Sequence, residues 1–243
     1  MDEELKAQFP VIENLLAAMN VPVVALPGWE GDDILGTVAA RDEELGYRTL
    51  LVTGDKDAYQ LASDLTKIVT TKRGITDVVI YGPEEVEERY GVTPDQFTDF
   101  LGLKGDKADN IPGVPGIGDK KAASMLQAYG NLEGIYANLD KFKGKQLENL
   151  TNYKDDAFLS RQVATIVRDA DFELDLESIS FPNFNVEQVT EAFTDVRMMA
   201  HLAKILKLQG SEAASIDLGS WDNFIEGDEA KAAIELPAEG YVP

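Results

Sequence analysis

Short apolar runs alternate with helical patterns in the first third of this 243-residue chain, and this alternation restricts its fold more than any other feature. Residues 21–26 and 49–53 are continuous apolar segments, typical of buried parallel strands, and residues 68–71 and 78–81 predict two further strands. A helical pattern over residues 31–45 separates the first two. Strands that alternate with helices predict an α/β layer fold.

Beyond Pro83 the pattern becomes helical, with Gly and Pro turns between the helices. The predicted helices cover residues 84–90, 94–103, 119–129, 131–138, 145–167 and 186–208. From Ser211 the composition is that of a linker, and Ala232 to Leu236 predicts the start of another strand. We therefore expect a helical module after the α/β layer and a further domain that begins near the end of the chain.

Cysteine is absent and His201 is the one histidine. These counts exclude a disulfide framework, a thiolate zinc site and a cysteine nucleophile, and they disfavour a Ser-His-Asp triad. His201 falls in the last predicted helix, which favours a structural role. No stretch reaches the eighteen apolar residues of a membrane span, and the acidic N-terminus lacks a signal-peptide core. We predict a cytoplasmic protein.

The charge is unevenly distributed along the chain. The net charge is −22, which by itself argues against a protein that binds a polyanion. Residues 100–165, however, carry 9 basic and 8 acidic side chains. A nucleic acid can approach this middle segment without the repulsion expected on either side of it.

Acidic residues cluster at three predicted turns, and two of these turns follow apolar strands. In an open parallel sheet the carboxyl ends of the strands form the ligand-binding edge. Carboxylates gathered there repel one another unless a cation is bound, and oxygen-only donors favour Mg²⁺ or Mn²⁺. Taken one at a time, the clusters also fit helix caps and ordinary turns. The clusters are Glu30, Asp32 and Asp33; Asp55 and Asp57; and Asp106 and Asp109.

A Gly-Pro run over residues 111–126, IPGVPGIGDKKAASML, precedes an amphipathic helix. Gly116 and Gly118 allow backbone N–H groups to face a phosphate, and the helix N-terminus adds partial positive charge. Lys120 and Lys121 lie in the first helical turn, where the helix dipole disfavours cations, so a bound anion would remove a conflict. The alternative is a helical hairpin whose glycines only allow tight packing.

Four segments together resemble the 5′-nuclease domain of bacterial DNA polymerase I, a branch of the flap endonuclease family. The resemblance covers about residues 1–208 and implies a partial Rossmann-like (PIN-like) nuclease domain followed by a helix-hairpin-helix (H3TH) module. It implies boundaries at 1–90 for the nuclease part, 91–167 for the module, 168–210 for the completion of the nuclease domain and 211–243 for a linker and truncated proofreading-type domain. The segments are GWEGDDILGT (28–37), TGDKDAYQL (53–61), residues 81–122 and QVATI (162–166).

The same resemblance implies a Mg²⁺- or Mn²⁺-dependent 5′→3′ exonuclease and flap endonuclease that acts in DNA replication and repair. All seven clustered carboxylates would bind two divalent ions, and Asp32, Asp55 and Asp57 would be catalytic. The DNA would be a duplex with a 5′ end or 5′ flap, and K⁺ binds the hairpin carbonyls in some members. The polymerase domains would follow in cis, in a monomer. The implied DNA-contacting residues are Gly113, Val114, Gly116, Ile117, Gly118, Lys120 and Lys121.

The chain departs from the family pattern at its start. Family members begin with two Asp-bearing strands and a basic helical arch, and this sequence begins after them. We therefore expect the chain alone to be weakly nucleolytic. Two alternatives remain open at this point, a non-catalytic duplex-binding remnant and a stand-alone exonuclease paralogue.

Overall fold

The computed structural model of the chain describes residues 2–73, 77–176 and 179–210. In those ranges the α-helices are α1 (Glu3–Lys6), α2 (Phe9–Ala18), α3 (Gly31–Leu45), α4 (Pro83–Tyr90), α5 (Phe97–Lys104), α6 (Asp119–Tyr129), α7 (Leu132–Ala137), α8 (Gly144–Asn152), α9 (Lys154–Ala164), α10 (Val186–Asp195) and α11 (Met199–Gly210). The strands are β1 (Thr49–Val52), β2 (Thr66–Arg73) and β3 (Asp77–Tyr81), and 3-10 helices cover Asp57–Leu61, Pro94–Gln96 and Leu139–Lys141.

The described residues form two compact units. We call residues 28–170 the central unit, and residues 2–27 with 171–210 the terminal unit. The central unit holds the sheet, α3 to α9 and one large hydrophobic core, to which Phe97, Phe100 and Leu126 contribute fully buried side chains. Since every predicted acidic cluster lies within the central unit, that unit positions the candidate site.

The sheet has the order β1-β2-β3. Strand β1 pairs in parallel with β2, as the continuous apolar run predicted, whereas β3 runs antiparallel to β2. Burial alternates along β1, where Leu51 is buried and Val52 is 71% exposed. The parallel pair directs the chain after β1 toward the carboxyl edge of the sheet, where the second acidic cluster follows.

Helix α3 matches its predicted bounds because both of its ends are stabilised locally. At its start Glu30 and Asp33 form a reciprocal capping box. At its end Gly46 adopts the left-handed conformation with φ 74°, which glycine accepts without steric cost. Gly36 and Ala39 are buried on one face of the helix. The first acidic cluster therefore belongs to a helix with a defined start and orientation.

The terminal unit has its own small core. Leu15 of α2 packs with Phe184, with Val189 and Phe193 of α10, and with Leu202 of α11. Helix α2 begins at Phe9 with Pro10 in its first turn, where the missing N–H of proline costs no intrahelical hydrogen bond. His201 is exposed on α11 and so has no place in this core.

Three predicted elements differ from the structure. Residues 21–26 form no strand, because no described strand pairs with them and an unpaired segment lacks the hydrogen bonds of a sheet. The predicted helix over 145–167 is two helices, α8 and α9, that meet at Tyr153, where ψ is 26°. The predicted helix over 186–208 is also two, α10 and α11, separated near Arg197, whose φ is 59°. Apolar periodicity continues across these breaks and therefore did not reveal them.

The predicted linker from Ser211 and the predicted strand at residues 232–236 lie outside the described residues. Within the described part of the chain, no helix combines the length and apolar character needed to cross a bilayer.

Candidate active site

The first acidic cluster divides into structural and unassigned carboxylates. The Oδ2 atom of Asp33 accepts a hydrogen bond from the Glu30 backbone N–H at 3.3 Å, and its Oδ1 accepts from the Val167 N–H at 2.9 Å. Glu30 completes the capping box at the start of α3. Asp32 lies between them in the first helical turn and is half-buried. The helix-cap alternative thus describes Glu30 and Asp33, and Asp32 is the carboxylate of this cluster that it leaves unexplained.

The second cluster forms a tight turn directly after β1. The Asp55 N–H donates to Thr53 Oγ1 at 3.1 Å, and the Asp57 N–H donates to Asp55 Oδ1 at 2.9 Å. Asp57 then begins the 3-10 helix Asp57–Leu61 and is half-buried, while Asp55 is exposed. This turn sets the two carboxylates at the carboxyl end of a strand, where open sheets bind ligands.

The third cluster lies on a loop closed by glycines. Asp106 and Ile111 exchange backbone hydrogen bonds of 2.9 and 2.7 Å, and Asp106 Oδ1 accepts from the Ala108 N–H at 2.8 Å. Asp109 is exposed at the tip of this loop. Where the loop closes, a Cβ added to Gly113 would lie 2.3 Å from the Gly105 nitrogen. Only a residue without a side chain fits there, so the loop position depends on glycine.

Electrostatics connect the three clusters. Burial raises the pKa of Asp57 to about 7, with the negative charges of Asp55, Asp109, Asp106 and Asp32 as further causes. The pKa of Asp32 is also raised, first by burial and then by Asp55, Glu30, Asp33 and Asp109. Carboxylates that are 50 residues or more apart in sequence are therefore near enough in space to repel one another. The charges that act most on both aspartates are all negative.

The donor chemistry of the three acidic clusters fits a hard divalent cation, which would relieve the repulsion between their carboxylates. Among the described residues, no group of three or more acidic or histidine side chains is close enough to enclose an ion by itself. This open arrangement agrees with the habit of Mg²⁺, which keeps several waters and binds one or two carboxylates together with substrate phosphates. Asp32 and Asp57, whose pKa values are raised by burial and by their acidic neighbours, are the first candidates to hold it.

The predicted DNA-contacting hairpin separates into buried and exposed residues. Val114 and Ile117 are 2% and 5% exposed and belong to the hydrophobic core. Their backbone N–H groups donate to the carbonyls of Leu103 and Val114, so any contact with DNA at these two residues would be made by other backbone atoms, and it stays a prediction. The N–H of Gly113, which is also buried, donates to Ser160 Oγ at 3.2 Å. These three residues support the hairpin from inside because the apolar positions of the run point into the core.

The exposed part of the hairpin retains the features of an anion site. Gly116 has φ 80°, and a Cβ added to Gly118 would meet nothing within 4 Å, so Gly118 borders open space. Gly118 caps the N-terminus of α6. Lys121 Nζ donates to the Gly116 carbonyl at 2.9 Å, which accounts for one of the two lysines in the first turn. Lys120 is exposed beside the helix N-terminus.

One functional element escaped the sequence analysis, a segment over residues 164–170 that we call the strap. Gln60 hydrogen-bonds the Ala164 carbonyl and the Ile166 N–H, and Thr37 Oγ1 accepts from the Ala170 N–H at 3.0 Å. A Cβ added to Gly36 of α3 would lie 2.6 Å from the Ile166 side chain, so the approach is close. The segment QVATI overlaps the strap, yet its letters do not reveal hydrogen bonds to residues 100 or more positions away.

Comparison with known proteins agrees with this geometry. The model of the 5′-3′ exonuclease N-terminal resolvase-like domain matches residues 1–91, and the model of the 5′-3′ exonuclease C-terminal SAM fold matches residues 92–187. The two models are contiguous and together cover most of the chain. The chain belongs to the 5′-3′ exonuclease family.

The curated relatives that match this chain are longer proteins. A DNA polymerase I of Bacillus caldotenax is 40% identical over 245 residues, which cover 98% of this chain and 28% of that protein. The chain thus spans about a quarter of the length of the curated relatives it matches.

Solved structures show the same fold. A T5 5′-exonuclease with bound divalent metal ions (zinc) is 25% identical, with a TM-score of 0.53, and the match covers 68% of this chain and 62% of that one. A bacteriophage T5 flap endonuclease in a complex with DNA and metal ions is 22% identical, with a TM-score of 0.55, and covers 85% and 72%. The expected fold, a nuclease α/β layer followed by a helical module, is confirmed.

Proposed function

We propose that this chain is the 5′→3′ exonuclease and flap endonuclease part of a DNA polymerase I, and that it hydrolyses phosphodiester bonds with divalent metal ions. The observation that carries the proposal is the mutual repulsion among carboxylates of the three acidic clusters. Burial together with four other carboxylates raises the pKa of Asp57 to about 7. A protein that gathers negative charge in this way gains from binding a cation there.

The residues proposed to hold the metal are the carboxylates of the three clusters. Asp32 and Asp57 are half-buried, and Asp55 shares a turn with Asp57, so these three are the proposed catalytic set. Glu30 and Asp33 act through their hydrogen bonds at the start of α3, and Asp106 and Asp109 contribute charge from their loop. We propose two Mg²⁺ or Mn²⁺ ions for these donors, in agreement with the metal-bound state of the similar T5 5′-exonuclease.

When bound, the metal supplies a water of lowered pKa and neutralises charge on the phosphate. The protein residues provide position. The turn at residues 53–57 holds two carboxylates at the strand end, and α3 presents Asp32 from a capped first turn. No side chain is required as a general base, because metal coordination lowers the pKa of the attacking water.

The exposed hairpin is the proposed duplex-binding surface. Gly116 and Gly118 allow the backbone to approach a phosphate, and Lys120 adds a positive charge beside the N-terminus of α6. These contacts go to the sugar-phosphate backbone and carry no base information, which suits an enzyme that acts on 5′ ends of any sequence. K⁺ at the hairpin carbonyls, a monomeric state, a cytoplasmic location and polymerase domains in cis complete the proposal.

A flap-cleavage assay tests the proposal. The 243-residue chain is incubated with a labelled 5′-flap substrate in Mg²⁺ or in chelator, beside Asp55→Asn and the exposed control Asp64→Asn. Asparagine at position 55 keeps the turn acceptor and removes the charge. We expect weak Mg²⁺-dependent cleavage that Asp55→Asn abolishes and Asp64→Asn leaves intact. Cleavage that persists in Asp55→Asn contradicts the proposed site, and duplex binding without cleavage is the result expected of a non-catalytic remnant.

A further inference from the structure

Gln60 is connected to the acidic turn and to the strap at the same time. Its Nε2 donates to the Asp57 carbonyl at 2.8 Å and to the Ala164 carbonyl at 2.8 Å. Its Oε1 accepts from the Ile166 N–H at 2.9 Å. Two carbonyl acceptors and one N–H donor use both ends of the carboxamide, and this pattern also determines which end is oxygen.

We propose that Gln60 is a positioning residue for the metal-binding carboxylates, and that it acts by clamping the Asp55–Asp57 turn to the strap. The inference rests on the proposed function, since it assigns Gln60 a role in holding that same site. Gln60 contacts no reacting atom. Its contribution is to hold Asp57, the residue on which the charges of the other clusters converge.

The clamp is needed because Asp57 of this turn is repelled by other carboxylates. Asp57 is repelled by Asp55 and by Asp109, and within the turn the hydrogen bond from the Asp57 N–H to Asp55 is a local restraint only. Gln60 adds a restraint from outside the turn. It does so without charge, whereas a glutamate there would add to the repulsion and lose both donated bonds.

The strap is itself held firmly, so it can serve as an anchor. Asp33 accepts from the Val167 N–H, Thr37 accepts from the Ala170 N–H, and the Arg168 guanidinium pairs with Glu43 at 2.7 Å. The strap thus connects the first acidic cluster, through Asp33, with the second, through Gln60. Two of the three clusters share one backbone segment as their common support.

The same support continues to the hairpin. Helix α9 ends at Ala164, and one turn earlier its Ser160 Oγ accepts from the Gly113 N–H at 3.2 Å. Arg161 of α9 also makes a paired contact with Glu133 of α7 and a 3.0 Å bond to the buried Asp99 of α5. Gln60 therefore joins the acidic turn to the helix that supports the proposed DNA-binding hairpin.

Mn²⁺ binding, measured by electron paramagnetic resonance on the 243-residue chain, tests the clamp without any need for activity. The variants are Gln60→Glu, Gln60→Met and the matched control Gln127→Glu, since Gln127 likewise donates to a backbone carbonyl, that of Gly91, which belongs to neither the acidic turn nor the strap. We expect Mn²⁺ affinity to fall about tenfold in both Gln60 variants, as for other residues that orient metal ligands, and to stay unchanged in the control. Thermal unfolding in chelator verifies that each variant is folded at the assay temperature.

The sign of the Gln60→Glu effect separates positioning from simple electrostatics. A negative charge added near a cation site would tighten Mn²⁺ binding by attraction alone, whereas loss of the clamp weakens it. Affinity within twofold of wild type in Gln60→Met, or tighter binding in Gln60→Glu, overturns the inference. Asp55→Asn distinguishes the two levels of failure. If Asp55→Asn leaves Mn²⁺ binding intact, or if the wild-type chain binds no Mn²⁺, the proposed metal site is wrong. The proposed role of Gln60 is then wrong as well, because it depends on that site.

Discussion

Two sets of carboxylates in the central unit have opposite surroundings. Burial pushes the pKa of Glu43 upward, but hydrogen bonds from Ser63 and Thr66 and the charge of Arg168 outweigh it and lower the pKa. Burial raises the pKa of Asp57 too, but its other neighbours are carboxylates that raise it further. Glu43 thus has hydrogen-bond donors and a cation beside it, whereas the charged neighbours that act on Asp57 are all carboxylates. Both kinds occur in the same unit, so acidic composition alone does not distinguish them.

The largest effect is expected from Asp57→Asn, which removes the carboxylate that its acidic neighbours repel. Mg²⁺-dependent flap cleavage should fall by at least about a hundredfold, because a ligand that fixes coordination is lost. In chelator the same change should raise the free energy of unfolding by about 1–2 kcal/mol, because a repelled, half-buried charge is removed. Cleavage kinetics and denaturant unfolding measure the two effects. Loss of both activity and stability would show that Asp57 is a structural carboxylate after all.

The second prediction concerns the loop that carries Asp106 and Asp109, and the substitution that tests it alters no charge. Gly113→Ala places a Cβ 2.3 Å from the Gly105 nitrogen at a residue with φ 59°, and both backbones resist displacement. We expect about 3 kcal/mol of destabilisation. Gly118→Ala is the matched control, since its Cβ meets nothing within 4 Å. Denaturant unfolding measures the stability of the two variants. Equal stability would show that the close approach of Gly113 to Gly105 does not hold the loop that carries Asp106.

The third prediction concerns Glu43, the carboxylate that has hydrogen-bond donors and a cation beside it. Glu43→Gln should lower the free energy of unfolding by about 1–2 kcal/mol at pH 7, since a charged acceptor for Ser63, Thr66 and Arg168 is lost. Because the folded-state pKa lies below the unfolded value, this stability is present above the unfolded pKa of about 4.3 and is lost as pH falls through the folded one.

Unfolding measured at several pH values between 3 and 7 tests the effect of Glu43→Gln. The difference in the free energy of unfolding between wild type and Glu43→Gln should become smaller as the pH is lowered. A difference that stays constant over this range would assign the stabilisation to packing and not to the charge of Glu43.

The smallest effect is expected from Lys120→Glu, which introduces a carboxylate on the exposed hairpin. Lys120 is exposed, so the free energy of unfolding should change by less than about 0.5 kcal/mol. Duplex affinity should fall for all sequences alike, and the slope of log affinity against log salt should become shallower by about 1. Salt titrations with two unrelated duplexes measure this. An unchanged slope would move the phosphate contact away from α6.

Local patterns predicted much of the fold. The bounds of α3, β1 and α6 agree with prediction to within a residue, because caps, apolar runs and glycine turns act over a few positions. Residues 21–26 were predicted wrongly as a strand, because a strand needs a hydrogen-bonding partner that an apolar run does not reveal. The burial of Val114 and Ile117 was not predicted, because a motif does not tell which of its side chains turn inward, and their contact with DNA stays a prediction.

The sequence by itself determined the kinds of group available, namely oxygen donors in three clusters, glycines before a helix and a nearly neutral middle segment. These are properties of composition and short spacing, and the family was indicated by the resemblance of four longer segments to known 5′-nucleases. Only the tertiary structure decided which carboxylates act on which. It assigned Glu30 and Asp33 to the start of α3, brought the charges of Asp32 and Asp109 to bear on Asp57, and placed Gln60 against the strap. Repulsion and hydrogen bonding act over a few ångströms in space, and residues that meet at that distance can be 100 positions apart in the chain.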